Sequence, residues 1–373
     1  MQAQIDALQQ QVTALQQQLT ELASAVAATK TEAAQATEVA TLIADQVESV
    51  GAPQQSATSI GGYGELHYNN LDSGKEIDFH RFVLYFDHQF TERLSLVTEL
   101  EIEHALAGDG KPGEVELEQA YIQYDLGGNA AAKAGLFLVP VGILNETHEP
   151  PTFYGVERNE IEKNIIPTTW WEAGAAYSGY NDSGWSWDVA LHSGLNTPID
   201  GSNAYKIRSG RQKVAEARAD DPALTGRLKY TGIPGLELAM SAQYQSDLTQ
   251  GLATESASAT LLEAHLNYQR GAFGLTALAA QWDIDSSAAE LLGRDQQQGY
   301  FLQPSWRIND EWGLFARYSE WNNEAGLPGE DAKQFDIGVN WWLHEDVVLK
   351  ADYENQSGSE DDKGFNLGVG YQF

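Results

Sequence analysis

The stretch Gly364-Phe-Asn-Leu-Gly-Val-Gly-Tyr-Gln-Phe373 sets Phe365, Leu367, Val369, Tyr371 and Phe373 on one face and Asn366, Gly368, Gly370 and Gln372 on the other. Side chains alternate with period two along a β-strand, so this segment reads as a strand with one apolar and one polar face, closed by an aromatic residue. The same division recurs upstream. Phe335, Ile337, Val339, Trp341 and Leu343 oppose Gln334, Asp336, Gly338 and Asn340, while Val347, Leu349, Ala351 and Tyr353 oppose Lys350, Asp352 and Glu354.

A soluble sandwich alternates too, but three features favour a membrane barrel. The segments run to about ten residues, nearer the 9–11 of a spanning strand than the 5–6 of a soluble sheet. Aromatic residues gather at their ends (Trp170, Trp171, Trp185, Trp187, Trp312, Trp321, Trp341, Trp342), where interfacial girdles sit. Short connections near 91–93, 127–129, 181–183, 233–235, 270–272, 309–311 and 344–346 alternate with long ones around 70–76, 105–113, 140–169, 195–222, 248–257, 285–295, 323–332 and 357–362. Counting the segments between them predicts an all-β transmembrane barrel of about 16 antiparallel strands over residues 60–373, in the outer membrane of a Gram-negative bacterium.

Residues 1–50 follow a different period. Ile5, Val12, Leu19 and Val26 fall at a, and Leu8, Leu15 and Leu22 at d, of a heptad that continues more weakly to Val50. This predicts a periplasmic α-helical coiled coil that self-associates, with residues 51–59 as linker. β-Branched a positions with Leu at d favour a dimer; Leu19 at a, together with the barrel, favours a homotrimer, which carries more weight. Met1-Gln2 leads straight into this polar helical pattern, so no signal peptide is read in the sequence as it stands.

Composition removes other classes. With 22 Lys and Arg against 54 Asp and Glu, a net charge of −32, nucleic acid is not an expected partner. The absence of Cys excludes disulfides, thiolate nucleophiles and Cys-ligated metals. No apolar run approaches the roughly 18–20 residues of a transmembrane helix. No Gly-x-Ser-x-Gly, phosphate-loop or His-Glu-x-x-His spacing occurs, so no enzyme, cofactor or metal centre is expected. His80 and His88 are expected on the outward face, about 26 Å apart, bracketing the lipid band. The acidic clusters Asp220-Asp221, Glu330-Asp331 and Glu360-Asp361-Asp362 read as solvated loop charge, with Ca²⁺ or Mg²⁺ bridging of lipopolysaccharide as the alternative.

If apolar residues face lipid, the other register lines an aqueous lumen. Channel-lining candidates are then Arg81, Lys133, Arg227, Lys229, Arg307, Arg317, Lys350, Glu99, Glu101 and Glu103. The longest connection, 140–169, is expected to fold inward as a constriction loop carrying Glu157, Arg158, Glu160 and Lys163; an external lid is the alternative. A basic stretch, Lys206, Arg208, Arg211, Lys213 and Arg218, reads as an anion-attracting loop, as contacts to lipopolysaccharide phosphates, or as plain solvated charge. The run Glu99, Glu101, Glu103 points the other way, because rings of carboxylates select cations. Charge alone leaves the sign of selectivity open.

Several stretches resemble the phosphate-selective porin O/P family of outer-membrane channels: Phe79-His-Arg-Phe-Val-Leu-Tyr-Phe86, Leu94-Ser-Leu-Val-Thr-Glu-Leu-Glu-Ile-Glu-His104, Glu118-Gln-Ala-Tyr-Ile-Gln-Tyr124, Lys133-Ala-Gly-Leu-Phe137, Glu157-Arg-Asn159 and Ile337-Gly-Val-Asn-Trp341. The resemblance implies a trimeric sixteen-stranded channel for small anionic solutes, with Arg and Lys along the path and the third loop as constriction. Arg81 matches a family arginine, and Arg158 matches more loosely. The acidic run and the scarcity of lysine depart from the family pattern. The heptad extension resembles that of related channels for small dicarboxylates. A passive porin leaning to phosphate or dicarboxylates is therefore expected. The alternatives are a cation-selective or general porin, or a tether whose coiled coil reaches toward peptidoglycan.

Overall fold

Sixteen strands, each hydrogen-bonded to its sequence neighbours, leave no free edge because the last pairs with the first. This is seen in a computed structural model that describes residues 57–329 and 331–373. The expected coiled coil, and residues 51–56 of the expected linker, lie outside the described residues. The strands are β1 (Thr58–Leu71), β2 (Gly74–Thr91), β3 (Leu94–Glu103), β4 (Val115–Gly127), β5 (Ala130–Leu138), β6 (Trp171–Tyr180), β7 (Trp185–His192) and β8 (Ala223–Tyr230). They continue as β9 (Leu236–Gln245), β10 (Ser258–Arg270), β11 (Phe273–Asp285), β12 (Gln296–Arg307), β13 (Trp312–Asn322), β14 (Ala332–His344), β15 (Val347–Gly358) and β16 (Lys363–Gln372). All pairings are antiparallel.

Closure joins Tyr63 to Gln372 in register, and Gly62 and Phe373 exchange both backbone hydrogen bonds at 3.0 and 2.9 Å. The inside–outside rule of soluble proteins is inverted. Phe365, Leu367 and Val369 are exposed on the outer wall, whereas Asn366 between them is 0% exposed. Outward apolar residues need hydrocarbon around them, while the polar row inside is satisfied by its own kind.

The short turns follow local chemistry. Gly128 and Asn129 both have φ of 64°, as a two-residue type I′ hairpin requires. At the same end of the barrel Trp312 stacks on Trp341 at 4.8 Å and Trp185 tilts against Tyr230 at 4.8 Å, a girdle of the expected kind. Trp170, Trp321 and Trp342 are not part of it. They are buried inside the barrel against the long loops, because large inward cavities need filling as much as the interface does.

Two further expectations give way. Residues 70–76 are not a long loop: Asp72 and Ser73 alone connect β1 to β2, fastened where Asp362 accepts from Ser73 N at 3.2 Å and Oγ at 2.5 Å. The strands there continue past the lipid band, where both faces turn polar and alternation fades. His80 is not lipid-facing. A bulge between the pairs Glu65–Arg81 and His67–Asp78 inserts a residue into β2, so His80 turns inward beside Arg81 and stacks on His67 at 4.7 Å.

Candidate functional site

The 139–170 connection (L3) lies inside the barrel. Its apolar residues Val139, Val141, Ile161, Ile165, Ile166 and Trp170 pack with inward side chains of β10–β13, among them Leu261, Leu278, Trp282 and Phe301. Its backbone is then pinned around the wall. Trp342 Nε1 donates to Pro151 O at 3.0 Å, Asn340 Nδ2 to Phe153 O at 3.0 Å, and Val156 N to Asp352 Oδ2 at 2.6 Å. Inside the loop, Glu162 accepts from the N–H groups of Ile143 (2.7 Å) and Leu144 (2.6 Å) and from Asn159 Nδ2 (2.8 Å). Burial raises the Glu162 carboxyl above its ordinary value despite these bonds.

The connection 193–222 (L4) drops onto L3. Its one short helical turn, Ile207–Gly210, buries Ile207 in the L3 cluster and brings the flanking cations downward. Arg208 Nη1 donates to Lys163 O at 2.5 Å, Arg211 Nη1 to Thr169 O at 2.7 Å, and Arg158 Nη1 to Thr169 Oγ1 at 2.9 Å. Lys213 reaches Glu114 at 2.6 Å and also contacts Glu116.

These groups border a cavity of about 250 Å³ between the loops and the β1–β4 wall. On the loop side stand Arg158, Lys163, Arg208, Arg211 and Lys213, with Glu157 and Glu162; on the wall stand Glu65, Glu101, Glu103, Glu116 and Glu118, with Arg81 among them. Charge is segregated across the opening. Arg81 Nε lies 2.9 Å from Glu65 and its Nη1 3.5 Å from Glu101, so part of the acidic wall is neutralised internally. Arg158, Arg208 and Arg211 form no ion pair with a carboxylate among the described residues, and Arg158 Nε and Nη2 and Arg211 Nε are buried without a hydrogen-bond partner. Burial and then the Arg211 charge push Arg208 down to about 10, so it remains protonated at neutral pH. Arg158 is lowered by burial and by Arg81, and Arg211 by burial. Cations crowded in this way gain from an anion placed between them.

The remaining candidates sit elsewhere on the inner wall. Arg227 contacts Glu146 and lies 2.8 Å from Asp188; Arg317 pairs with Asp336 at 2.8 Å; Lys229 lies 3.5 Å from Glu237. Lys350 rests over the Phe153 ring at 3.5 Å, Lys133 over Tyr121 and Phe137 at 5.1 and 4.9 Å, and Arg307 over Trp342 at 3.7 Å near the short-turn end. Glu99 faces inward and meets His148 of L3 at 3.3 Å. Glu157 is held by His67, and Glu160 pairs with Lys163 at 3.1 Å. Lys206 and Arg218 do not border the 250 Å³ cavity; Arg218 pairs with Asp220 at 3.3 Å. Sequence reading gave no role to His67, Thr169 and His148, and put His80 on the outer face. Their partners lie tens of residues away, and no short spacing signals them.

A family model for Gram-negative porins matches residues 160–362, more than half of the chain. An uncharacterized protein of Aquifex aeolicus (strain VF5) is 31% identical over 353 residues, covering 86% of this chain and 80% of the relative. Among solved structures, the outer membrane channel DcaP of Acinetobacter baumannii superposes with a TM-score of 0.60 at 13% identity, over 85% of this chain and 97% of that one. OmpF of Salmonella typhi gives 0.58 at 11% identity over 85% and 97%, and the trimer form of Vibrio cholerae OmpT 0.58 at 12% over 85% and 99%. At these identities the likeness is one of fold.

Proposed function

The chain belongs to the family of Gram-negative porins, and from that premise we propose that its outer-membrane channel is selective for small hydrophilic anions, phosphate or small dicarboxylates. One observation carries this reading: three guanidinium groups, Arg158, Arg208 and Arg211, border one cavity where L4 meets L3, with no carboxylate paired to any of them among the described residues. An anion entering from the L4 side meets unsatisfied N–H donors, and the carboxylates opposite keep it from binding too tightly to leave. The segregated charge also sets up a field across the opening that orients dipolar solutes. The resemblance to the phosphate-selective O/P family points the same way.

A homotrimer is part of the proposal, supported by the trimer form of the Vibrio cholerae neighbour and by the N-terminal heptads. The cation-selective reading is weakened because Glu101 is occupied by Arg81, and Glu99 by His148 and by Gln119 at 2.7 Å.

Planar-bilayer recording in a KCl gradient tests the sign. The expected reversal potential is that of an anion-selective pore, with phosphate and succinate lowering chloride current. A cation-selective reversal potential overturns the proposal, and chloride current indifferent to both solutes reduces it to a general porin.

A further inference from the structure

Within the acidic wall lies an arrangement that anion passage does not account for. Glu99 of β3, Glu118 of β4 and His148 of L3 bring one ligand atom each within 4.8 Å of one another, with side chains exposed by 1, 1 and 3%. His148 Nε2 lies 3.3 Å from Glu99 Oε1 and 3.8 Å from Glu118 Oε2. Its other nitrogen, Nδ1, lies 3.2 Å from the carbonyl oxygen of Asn145. A carbonyl only accepts, so Nδ1 donates to Asn145, which holds the ring with Nε2 aimed at the two carboxylates.

Three groups able to ligate a cation thus converge on one buried point. The His148–Glu99 contact leaves Glu118 Oε2, which is buried and makes no hydrogen bond, without a partner at 3.8 Å. The Arg81 guanidinium is committed to Glu65 and Glu101. We propose that Glu99, Glu118 and His148 bind a divalent transition-metal ion of the Zn²⁺ type, fastening L3 to the pore wall.

The geometry suits such an ion. Ligands about 2.1 Å from a tetrahedral centre stand roughly 3.4 Å apart, close to the two spacings from His148. One imidazole with two carboxylates selects a borderline metal over Mg²⁺ or Ca²⁺, which take oxygen shells. Both shells of support are present. Gln119 Nε2 donates to Glu99 Oε2 at 2.7 Å, and the Asn145 carbonyl orients the imidazole. Asn145 is itself locked, its Nδ2 donating to Val139 O and Trp170 O at 2.8 and 2.9 Å. Glu118 also borders the 250 Å³ cavity, which supplies an entry path and a water for the fourth position. A bound dication would cancel acidity on the wall and hold the constriction against it.

The test uses the full-length chain in detergent, stripped by a chelator and titrated with Zn²⁺ by calorimetry and with Co²⁺ by visible absorption. The expected result is one Zn²⁺ per chain at this site, visible d–d bands with Co²⁺, and no displacement by millimolar Mg²⁺. His148→Ala and Glu118→Gln should weaken binding at least a hundredfold, and Gln119→Ala about ten- to a hundredfold. His344→Ala, in the exposed His344-Glu345-Asp346 group, should leave it unchanged. Glu118→Gln preserves side-chain shape and decides alone if His148→Ala does not give folded barrels. Zn²⁺ binding that is absent, or that survives Glu118→Gln intact, overturns the proposal. Neither result bears on anion selectivity, which is read from currents.

Discussion

Glu157, at the middle of L3, and His67, on the inner face of β1, are joined by a 3.0 Å contact that ties the loop to the strand closing the barrel. The His67 ring is itself held at its other nitrogen by Glu65 at 3.1 Å and stacked on His80, so the anchor is rigid on the wall side. Asn69 Nδ2 adds a second bond to Glu157 at 3.1 Å.

Glu157→Gln removes the charged partner and keeps the shape. The charged hydrogen bond to His67 contributes on the order of 1.5–3 kcal/mol. Its loss is expected to raise open-channel current noise as the middle of L3 loosens, and single-channel recording measures this directly.

The same contact fixes an acid limit. Burial alone would raise the Glu157 carboxyl, but the His67 charge holds it well below the usual range. A depressed carboxyl contributes stability that is complete above its unfolded value, about 4.3, and is lost as pH falls through the folded one. From pH 7 to about 5 neither state takes up a proton at this group, so it adds no slope. Heat-conversion temperature in the wild type should therefore fall more steeply below about pH 4 than it does in Glu157→Gln. Parallel curves for the two proteins would contradict this.

Glu162 organises L3 from within. Glu162→Leu leaves the N–H groups of Ile143 and Leu144 without their acceptor, at about 1–3 kcal/mol each. Glu162→Gln keeps one acceptor oxygen and should cost much less. The temperature at which the folded gel band converts to the unfolded one should separate the two variants.

What was legible in the sequence is what depends on neighbours in the chain. Alternation in Phe365–Phe373 and turn chemistry at Gly128-Asn129 are local, so strand count, closure and the short turns could be read directly. His80 could not, because one inserted residue in β2 reverses its face, and a bulge leaves no mark on period-two counting. Trp170 and Trp342 look like interface aromatics until L3 is known to need them inside. The arginine cluster depends on L4 meeting L3: Arg211 and Thr169 are 42 positions apart, and nothing near either residue announces the other.

Arg211→Ser tests that meeting. Two charges 4 Å apart in water interact by about 1 kcal/mol, roughly a fivefold change in a permeability ratio. Removing the Arg211 charge should shift chloride-over-potassium permeability toward potassium by about that factor at low salt, and by less at 1 M, where screening shortens to about 3 Å. Arg218→Ser, whose side chain pairs with Asp220 away from the cavity, should leave the ratio unchanged. Equal shifts from both would mean that the loop acts through bulk charge and not through the arginines bordering the cavity.

Closure offers the most severe test of the fold. A Cβ on Gly62 would lie 2.2 Å from the backbone oxygen of Val83, which cannot move without unzipping β1 from β2. Gly62 also exchanges both backbone bonds with Phe373, so any shift made to relieve the clash opens the β1–β16 seam as well. Gly62→Ala should therefore abolish the compact band on unheated gels, whereas alanine at Gly74, where the added Cβ meets no heavy atom within 4 Å, should leave that band in place. The two glycines stand on adjoining strands and differ in whether backbone fills the space a side chain would need, so the contrast isolates steric closure from the general cost of replacing glycine in a strand.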